Sequence, residues 1–207
     1  MRSMRQKFIW DLVSDWHFQI ASVLHLNSIF DLKLDTGIRG TSLDMNWLTP
    51  KAQAHDAGVK GWGSFAIEPI SAGETVGSFG GWSIPRSVLA TLEIERQHRA
   101  IQVDDDQYLV SQEHREPGDC FNHSCEPSCS LSGATILKAR RDIAVGEELT
   151  FDYATCDDSD YDEFTCGCST KSCRGTVTGK DWQLPELHKK YAGEFSPYLA
   201  RRIASEF

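Results

Sequence analysis

Residues 119–129 read Asp119-Cys120-Phe121-Asn122-His123-Ser124-Cys125-Glu126-Pro127-Ser128-Cys129. Thiols, an imidazole, an amide and hydroxyls crowd this one segment, more coordinating and hydrogen-bonding groups than a hydrophobic core uses. Such a stretch suits a metal site, a disulfide or a ligand pocket. Two features bear on the choice. The chain has 7 cysteines, an odd number. Its start, Met1 to Lys7, is basic, but the apolar stretch that follows contains Asp11 and Asp15, which a signal-peptide core excludes, and no cleavage pattern follows. The expectation is an intracellular chain whose cysteines are reduced thiols or metal ligands.

A second sulfur-rich stretch, Cys166-Gly167-Cys168-Ser169-Thr170-Lys171-Ser172-Cys173, has the spacing Cys-x-Cys-x4-Cys. It supplies three thiolates, whereas tetrahedral zinc takes four ligands. Cys125 is the candidate for the fourth, with Cys129 and Cys156 as alternatives. A Cys125 ligand would clip the tail onto the domain core. Cys120, Cys129 and Cys156 have no metal-ligand spacing and fit buried small hydrophobes.

With 207 residues, 40% hydrophobic and 25% charged, the chain is long enough for one globular domain with appendages. No apolar run reaches bilayer-spanning length, so no membrane partner is expected. The formal charge of −9 argues against direct nucleic-acid binding and suits a basic partner, although it also simply favours solubility.

From Ile9 to Leu24 the apolar residues recur at helical spacing, which predicts an amphipathic helix. Short β-like runs follow at Thr75 to Phe79, Tyr108 to Val110, Thr135 to Ala139 and Leu149 to Tyr153, separated by glycine turns. One helical stretch is expected around Arg86 to Arg99. Asp157, Asp158, Asp160, Asp162 and Glu163 suggest an exposed acidic loop. Pro185 and Gly193 bracket a helix, and Ser196-Pro197 suits the cap and first position of a last one. The fold class is mostly β with short helices.

Lys60-Gly61-Trp62-Gly63 places two glycines around an aromatic residue, which would let backbone approach a ligand, but a turn has the same signature. Gly146 to Tyr153 is a turn leading into a strand. Its period of two puts Phe151 and Tyr153 on one face.

Taken in order, Gly61-Trp62-Gly63, Asn122-His123-Ser124-Cys125-Glu126-Pro127, Glu148-Leu149-Thr150-Phe151-Asp152-Tyr153 and Cys166-x-Cys168-x4-Cys173 resemble the SET-domain protein lysine methyltransferases that carry a post-SET zinc segment. The resemblance runs from about Asn46 to Gly175. It implies a SET-domain β-fold with a pseudoknot over residues 46–155. It also implies an acidic loop and zinc segment over 156–176, with a helical extension at 1–45 and a helical tail at 177–207. It further implies S-adenosylmethionine as methyl donor, with Lys60, Gly61, Trp62, Gly63, Asn122, His123 and Tyr153 along it and Phe164 near its adenine. Zn2+ would be held by Cys125, Cys166, Cys168 and Cys173.

The implied reaction is attack of a neutral lysine amine on the sulfonium methyl. Tyr153 stands at the catalytic tyrosine position and Phe151 at a channel position. There a phenylalanine, lacking a water-anchoring hydroxyl, leaves room for di- or trimethylation. The substrate is expected to be a protein or peptide lysine, for example in a histone tail, laid as an extended strand along a sheet edge and attracted by the acidic loop. One departure stands out: the family often has Tyr-x-Gly-Glu where this chain has Phe79-Gly80-Gly81-Trp82. Two other readings stay open, a non-catalytic zinc-containing peptide-binding module and an enzyme acting on a non-histone cytosolic protein. Nucleus and cytoplasm are not distinguished.

Overall fold

The computed structural model describes residues 46–159 and 163–206. The helix expected between Ile9 and Leu24 lies outside the described residues, as do Asp160 and Asp162 of the acidic run. An antiparallel sheet orders β1 (Trp47–Leu48), β4 (Thr75–Ser78), β10 (Ile136–Ala139) and β9 (Cys129–Ser132). A second sheet orders β2 (Ala52–Asp56), β3 (Trp62–Ala66), β11 (Glu148–Phe151) and β8 (Asn122–His123). A third orders β5 (Trp82–Ile84), β7 (Gln107–Val110) and β6 (Ile101–Asp104), and β12 (Phe164–Thr165) pairs with β13 (Thr176–Val177). The helices are short: α1 (Arg86–Leu89), α2 (Ile94–Gln97), α3 (Pro185–Lys190) and α4 (Pro197–Glu206). None is long and apolar enough to cross a membrane.

Period-two patterning explains the strands. Cys129 and Leu131 in β9, Leu137 and Ala139 in β10, and Tyr108 and Val110 in β7 point inward while their neighbours are half exposed. Val76, Leu131, Leu137 and Leu149 centre the main core, which Cys129 and Cys156 also join as the small hydrophobes the sequence suggested. Gly77 in β4 is required by this packing, because a Cβ there would lie 2.4 Å from Cζ of Phe121.

The connection that shapes the site is the parallel pairing of β8 with β11. It sets Asn122 opposite Thr150 and His123 opposite Phe151. The Ser124 N–H extends it by donating to the Phe151 carbonyl at 3.1 Å. Ser128 Oγ donates to the Glu148 carbonyl at 2.9 Å and accepts the Thr150 N–H at 3.0 Å. The stretch quoted at the outset is thereby laid along the aromatic strand.

Four local expectations change. The helix expected from Arg86 to Arg99 is two helices, parted where Glu93 leaves the helical backbone at φ −55°, ψ 139°, while just before it the Thr91 hydroxyl donates to the Val88 carbonyl at 2.7 Å. The strand expected to reach Tyr153 ends at Phe151, and Tyr153–Thr155 is a 3-10 turn capped by Asp152, which accepts the Ala154 N–H. Ser196 precedes α4, but among the described residues its hydroxyl has no partner and does not cap the helix. Finally, Asp157 and Asp158 are not freely solvated: Asp158 ion-pairs with Arg202 and Arg86, and Asp157 accepts from Ser159.

The C-terminal segment folds as the sequence indicates up to that cap, with Pro185 in the first turn of α3 and Gly193 at φ 82° after it. Trp182, Leu187, Tyr191, Phe195, Tyr198 and Leu199 bury themselves against Ala154 of the 3-10 turn. The Tyr198 hydroxyl donates to the Cys156 carbonyl at 2.7 Å, and the Ser196 N–H to the Thr155 carbonyl at 2.7 Å. The tail thus docks onto the turn that bears Tyr153.

Candidate functional site

The structure gathers Cys125, Cys166, Cys168 and Cys173, whose Sγ atoms all lie within 4.8 Å of one another. Cys125 and Cys166 are 3.9 Å apart. Tetrahedral zinc with Zn–S bonds of about 2.3 Å needs sulfur–sulfur edges of roughly 3.8 Å, so the set fits the ion. Backbone N–H groups already face the sulfurs: Arg174 to Cys125 at 3.4 Å, Cys168 to Cys166 at 3.5 Å and Gly175 to Cys173 at 3.5 Å. Such donors favour thiolate over thiol. Cys129 and Cys156 lie in the apolar core instead.

His123 ties this cluster to the rest of the site. Its Nδ1 accepts the Tyr153 N–H at 3.3 Å, which leaves the proton on Nε2, 3.4 Å from Cys125 Sγ. Burial drives its pKa down to about 4, outweighing the Asp152 carboxylate 3.6 Å away. The ring is therefore a neutral strut rather than half of an ion pair. Its neighbour in space, Asp152, is fully buried and gripped from two directions. Arg174 donates Nη1 and Nη2 to the two carboxylate oxygens at 2.7 Å each, and the Tyr191 hydroxyl donates at 2.8 Å. Burial opposes ionisation, yet these partners hold the carboxyl below its usual range. Arg174 Nε also donates to Asp181 at 2.7 Å, and Lys190 Nζ reaches the Cys125 carbonyl.

Two aromatic groups share the ring of Tyr153. On one side stand Phe151, 4.9 Å away between centroids, then Phe79 at 5.7 Å from Phe151 and Phe121 at 6.0 Å from Phe79. These residues wall a cavity of about 40 Å³ that Ile101, Gln102 and Asp157 also line. On the other side His123 lies 5.4 Å and Phe164 6.1 Å from Tyr153. The Tyr153 hydroxyl donates to the Phe121 carbonyl at 3.0 Å. The pairing of β12 with β13, adjacent to the sulfur cluster, is what holds Phe164 in place.

The glycine motif lies beside Asn122. Asn122 Nδ2 donates to the Trp62 carbonyl at 3.1 Å and to Glu148 Oε1 at 2.8 Å, and Lys60 pairs with Glu148. Gly61 has φ 76° and open space around its Cα. A Cβ on Gly63, by contrast, would meet Glu148 Oε1 at 2.7 Å and Asn122 Nδ2 at 2.9 Å. Gly63 thus leaves room for the side chains of Glu148 and Asn122. Lys60 and Asn122, tied through Glu148, and the aromatic pair Tyr153 and Phe164 are an ammonium, an amide and aromatic surface. That donor set fits a molecule carrying a carboxylate and a planar base, as S-adenosylmethionine does.

Sequence reasoning named Cys125, Asn122, His123, Phe151 and Tyr153, and the structure brings them together. It missed Asp152, Arg174 and Tyr191. Asp152, a carboxylate between two aromatics at the end of a buried strand, was the available signal, because a buried acid demands a cationic partner.

Comparison with known proteins identifies the domain that holds Asn122, His123, Phe151 and Tyr153. Residues 61–154 match the model of the SET domain, and the chain carries a SET domain there. It is similar to the histone-lysine N-methyltransferase ash1 of Drosophila melanogaster, at 30% identity over 176 residues, covering 75% of this chain and 8% of that protein. It is likewise similar to an H3 lysine-4 specific histone-lysine N-methyltransferase of Kluyveromyces lactis, at 30% identity over 158 residues, covering 67% of this chain and 16% of that one. The chain therefore spans only a small part of these relatives' lengths. Its fold is similar to the methyltransferase domain of human histone-lysine N-methyltransferase SETMAR, with a TM-score of 0.51 and 22% identity over 62% of this chain and 58% of that one.

Proposed function

We propose that this chain is an S-adenosylmethionine-dependent protein-lysine N-methyltransferase acting on a lysine in a basic, histone-like tail. The observation that carries this reading is the position of Tyr153, whose ring belongs both to the aromatic cavity and to the group formed with His123 and Phe164. When bound, S-adenosylmethionine supplies an electrophilic methyl group on a sulfonium. The chain's own residues do the rest. A lysine amine has a pKa of about 10.4 in water and must be neutral to attack. Phe79, Phe121 and Phe151 remove it from water, which disfavours the ammonium form. The Tyr153 hydroxyl donates its proton to the Phe121 carbonyl, so toward an incoming amine the phenol oxygen acts as an acceptor that aims the nitrogen lone pair. This is rate enhancement chiefly by positioning.

Zinc on Cys125, Cys166, Cys168 and Cys173 would keep the segment bearing Phe164 beside Tyr153. Neither Phe79 nor Phe151 has a hydroxyl to anchor a water in the cavity, so methyl groups can replace it and transfer continues past the first. The functional unit is the domain over residues 46–155 with the zinc segment at 156–176; residues 1–45 and 177–207 are its extensions. The relatives' names, which specify histone lysine, favour a histone tail, and such a substrate would place the protein in the nucleus.

The test is methyl transfer by the zinc-loaded chain across an array of lysine peptides that includes histone tails, with products resolved by mass spectrometry. Di- or trimethyl-lysine is the expected product. Tyr153→Phe should lose roughly 10²-fold or more in kcat/KM, and Phe151→Tyr should stop the reaction at monomethyl-lysine. Peptide binding with neither transfer nor calorimetric binding of S-adenosylmethionine would sink the enzyme reading in favour of a binding module.

A further inference from the structure

The aromatic cavity contains an acid that the reaction as described does not use. We propose that Asp157 receives the ε-ammonium of the incoming lysine at this cavity and takes its proton before methyl transfer, an inference that rests on the lysine-transfer reading of the site. Asp157 lines the cavity together with Phe79, Phe121, Phe151 and Tyr153. An ammonium entering an apolar chamber loses its hydration, and a carboxylate at the wall is the group that offsets that loss.

The other acid on the wall, Asp119, is already consumed. It accepts from Arg99 Nη1 at 2.9 Å, from the Glu116 N–H at 2.8 Å and from Asn46. Asp157 differs. Its Oδ1 accepts the Ser159 N–H at 2.9 Å and the Ser159 hydroxyl, which fixes the carboxylate. Among the described residues no lysine, arginine or histidine forms an ion pair with it.

The titratable and charged groups around Asp157 are accounted for. Arg86 of α1 pairs with Asp158, the chain neighbour, and also draws the Asp157 carboxyl down, and the Tyr108 and Tyr198 phenols face the same two acids. His98 and Arg99 stand across the cavity, with Arg99 held by Asp119. The Cys156 thiol donates to the Tyr153 carbonyl, and the Tyr153 hydroxyl to the Phe121 carbonyl. Burial pushes the Asp157 carboxyl above its ordinary range, against the two hydrogen bonds from Ser159 and the charge of Arg86 and with a further push from Asp158, which is the direction a proton acceptor needs. In the step, an N–H bond of the ammonium breaks and an O–H bond forms on Asp157. The freed nitrogen lone pair is then available to the sulfonium methyl, and the proton leaves Asp157 for solvent.

Asp157→Asn is the variant that tests this, since its amide oxygen can still accept from Ser159. Methyl transfer to an unmethylated lysine peptide is measured from about pH 7 to pH 10, beside a melting curve and a calorimetric titration with n-butylammonium. The expected result is a kcat/KM about tenfold or more below wild type near pH 7, closing toward parity near pH 10, where solution already supplies neutral amine. The melting curve should not move. Equal rates, or a deficit that stays constant with pH, would overturn the proposal. If wild type transfers no methyl group, the functional reading fails separately and the butylammonium titration decides. Binding lost in Asp157→Asn then upholds the cation site, and equal binding in the two proteins rejects it.

Discussion

Around β4, β9, β10 and β11 the buried groups are Val76, Leu131, Leu137 and Leu149, apolar side chains that need only one another. Around β11's last residue and the sulfur cluster they are a carboxylate, a guanidinium, a phenol, an imidazole and thiols, each needing a named partner. The first region is secured by area removed from water. The second is secured by stoichiometry: remove one member and another is left buried and unsatisfied. The ring walls of the candidate site straddle the two, with Phe79, Phe121 and Phe151 rooted in the apolar core and Phe164 held beside the sulfurs.

The largest effect should come from breaking the sulfur cluster. Chelation, or Cys168→Ser, should release residues 164–177 while the sheets persist. Hydrogen exchange would show protection lost at β12 and β13 and kept at β10, together with loss of methyl transfer. Simultaneous collapse of β10 would show that the two regions are not separately held. Next comes Asp152→Ala, which strands Arg174 among buried groups and should cost about 3–5 kcal/mol in chemical denaturation. Leu137→Ala, at a site with 0% exposure, should cost about 2–5 kcal/mol. The sharper contrast is functional: Asp152→Ala should also weaken zinc retention, and Leu137→Ala should not. The smallest effect belongs to Arg201→Ala. Its ion pair with Asp104 is 62% and 51% exposed on the two sides and should contribute no more than about 0.5 kcal/mol.

The two regions also differ in how far the sequence discloses them. Alternation in β7 and β10 is a local pattern, so those strands could be placed to within a residue or two; β9, in the segment read for its metal ligands, was not foreseen. Cys-x-Cys-x4-Cys is equally local, because one ion recruits ligands from one loop. Distance defeats the rest. Cys125 lies 41 residues before Cys166, so no spacing rule ties it to the cluster, and it could be named only as a candidate ahead of Cys129 and Cys156. Arg174 and Tyr191 lie 22 and 39 residues from Asp152, and no spacing rule links the three. The break between α1 and α2 turns on the extended backbone of one residue, Glu93, whose side chain, good in a helix, gives no local stop signal.

The sequence by itself determined the mostly β class, the motif order and the chemical inventory: thiols for a metal, an amide-bearing loop and an aromatic strand end. Only the tertiary structure decided that Cys125 sits within reach of the other three thiols, that Gly63 makes way for Asn122 and Glu148, and that, of the described acids lining the aromatic cavity, Asp119 is taken by Arg99 while Asp157 is held by Ser159. The physical reason is that composition and periodicity are set by local sterics and burial. Partner choice among polar groups is set by which distant segments β8 and β11 bring within hydrogen-bonding range.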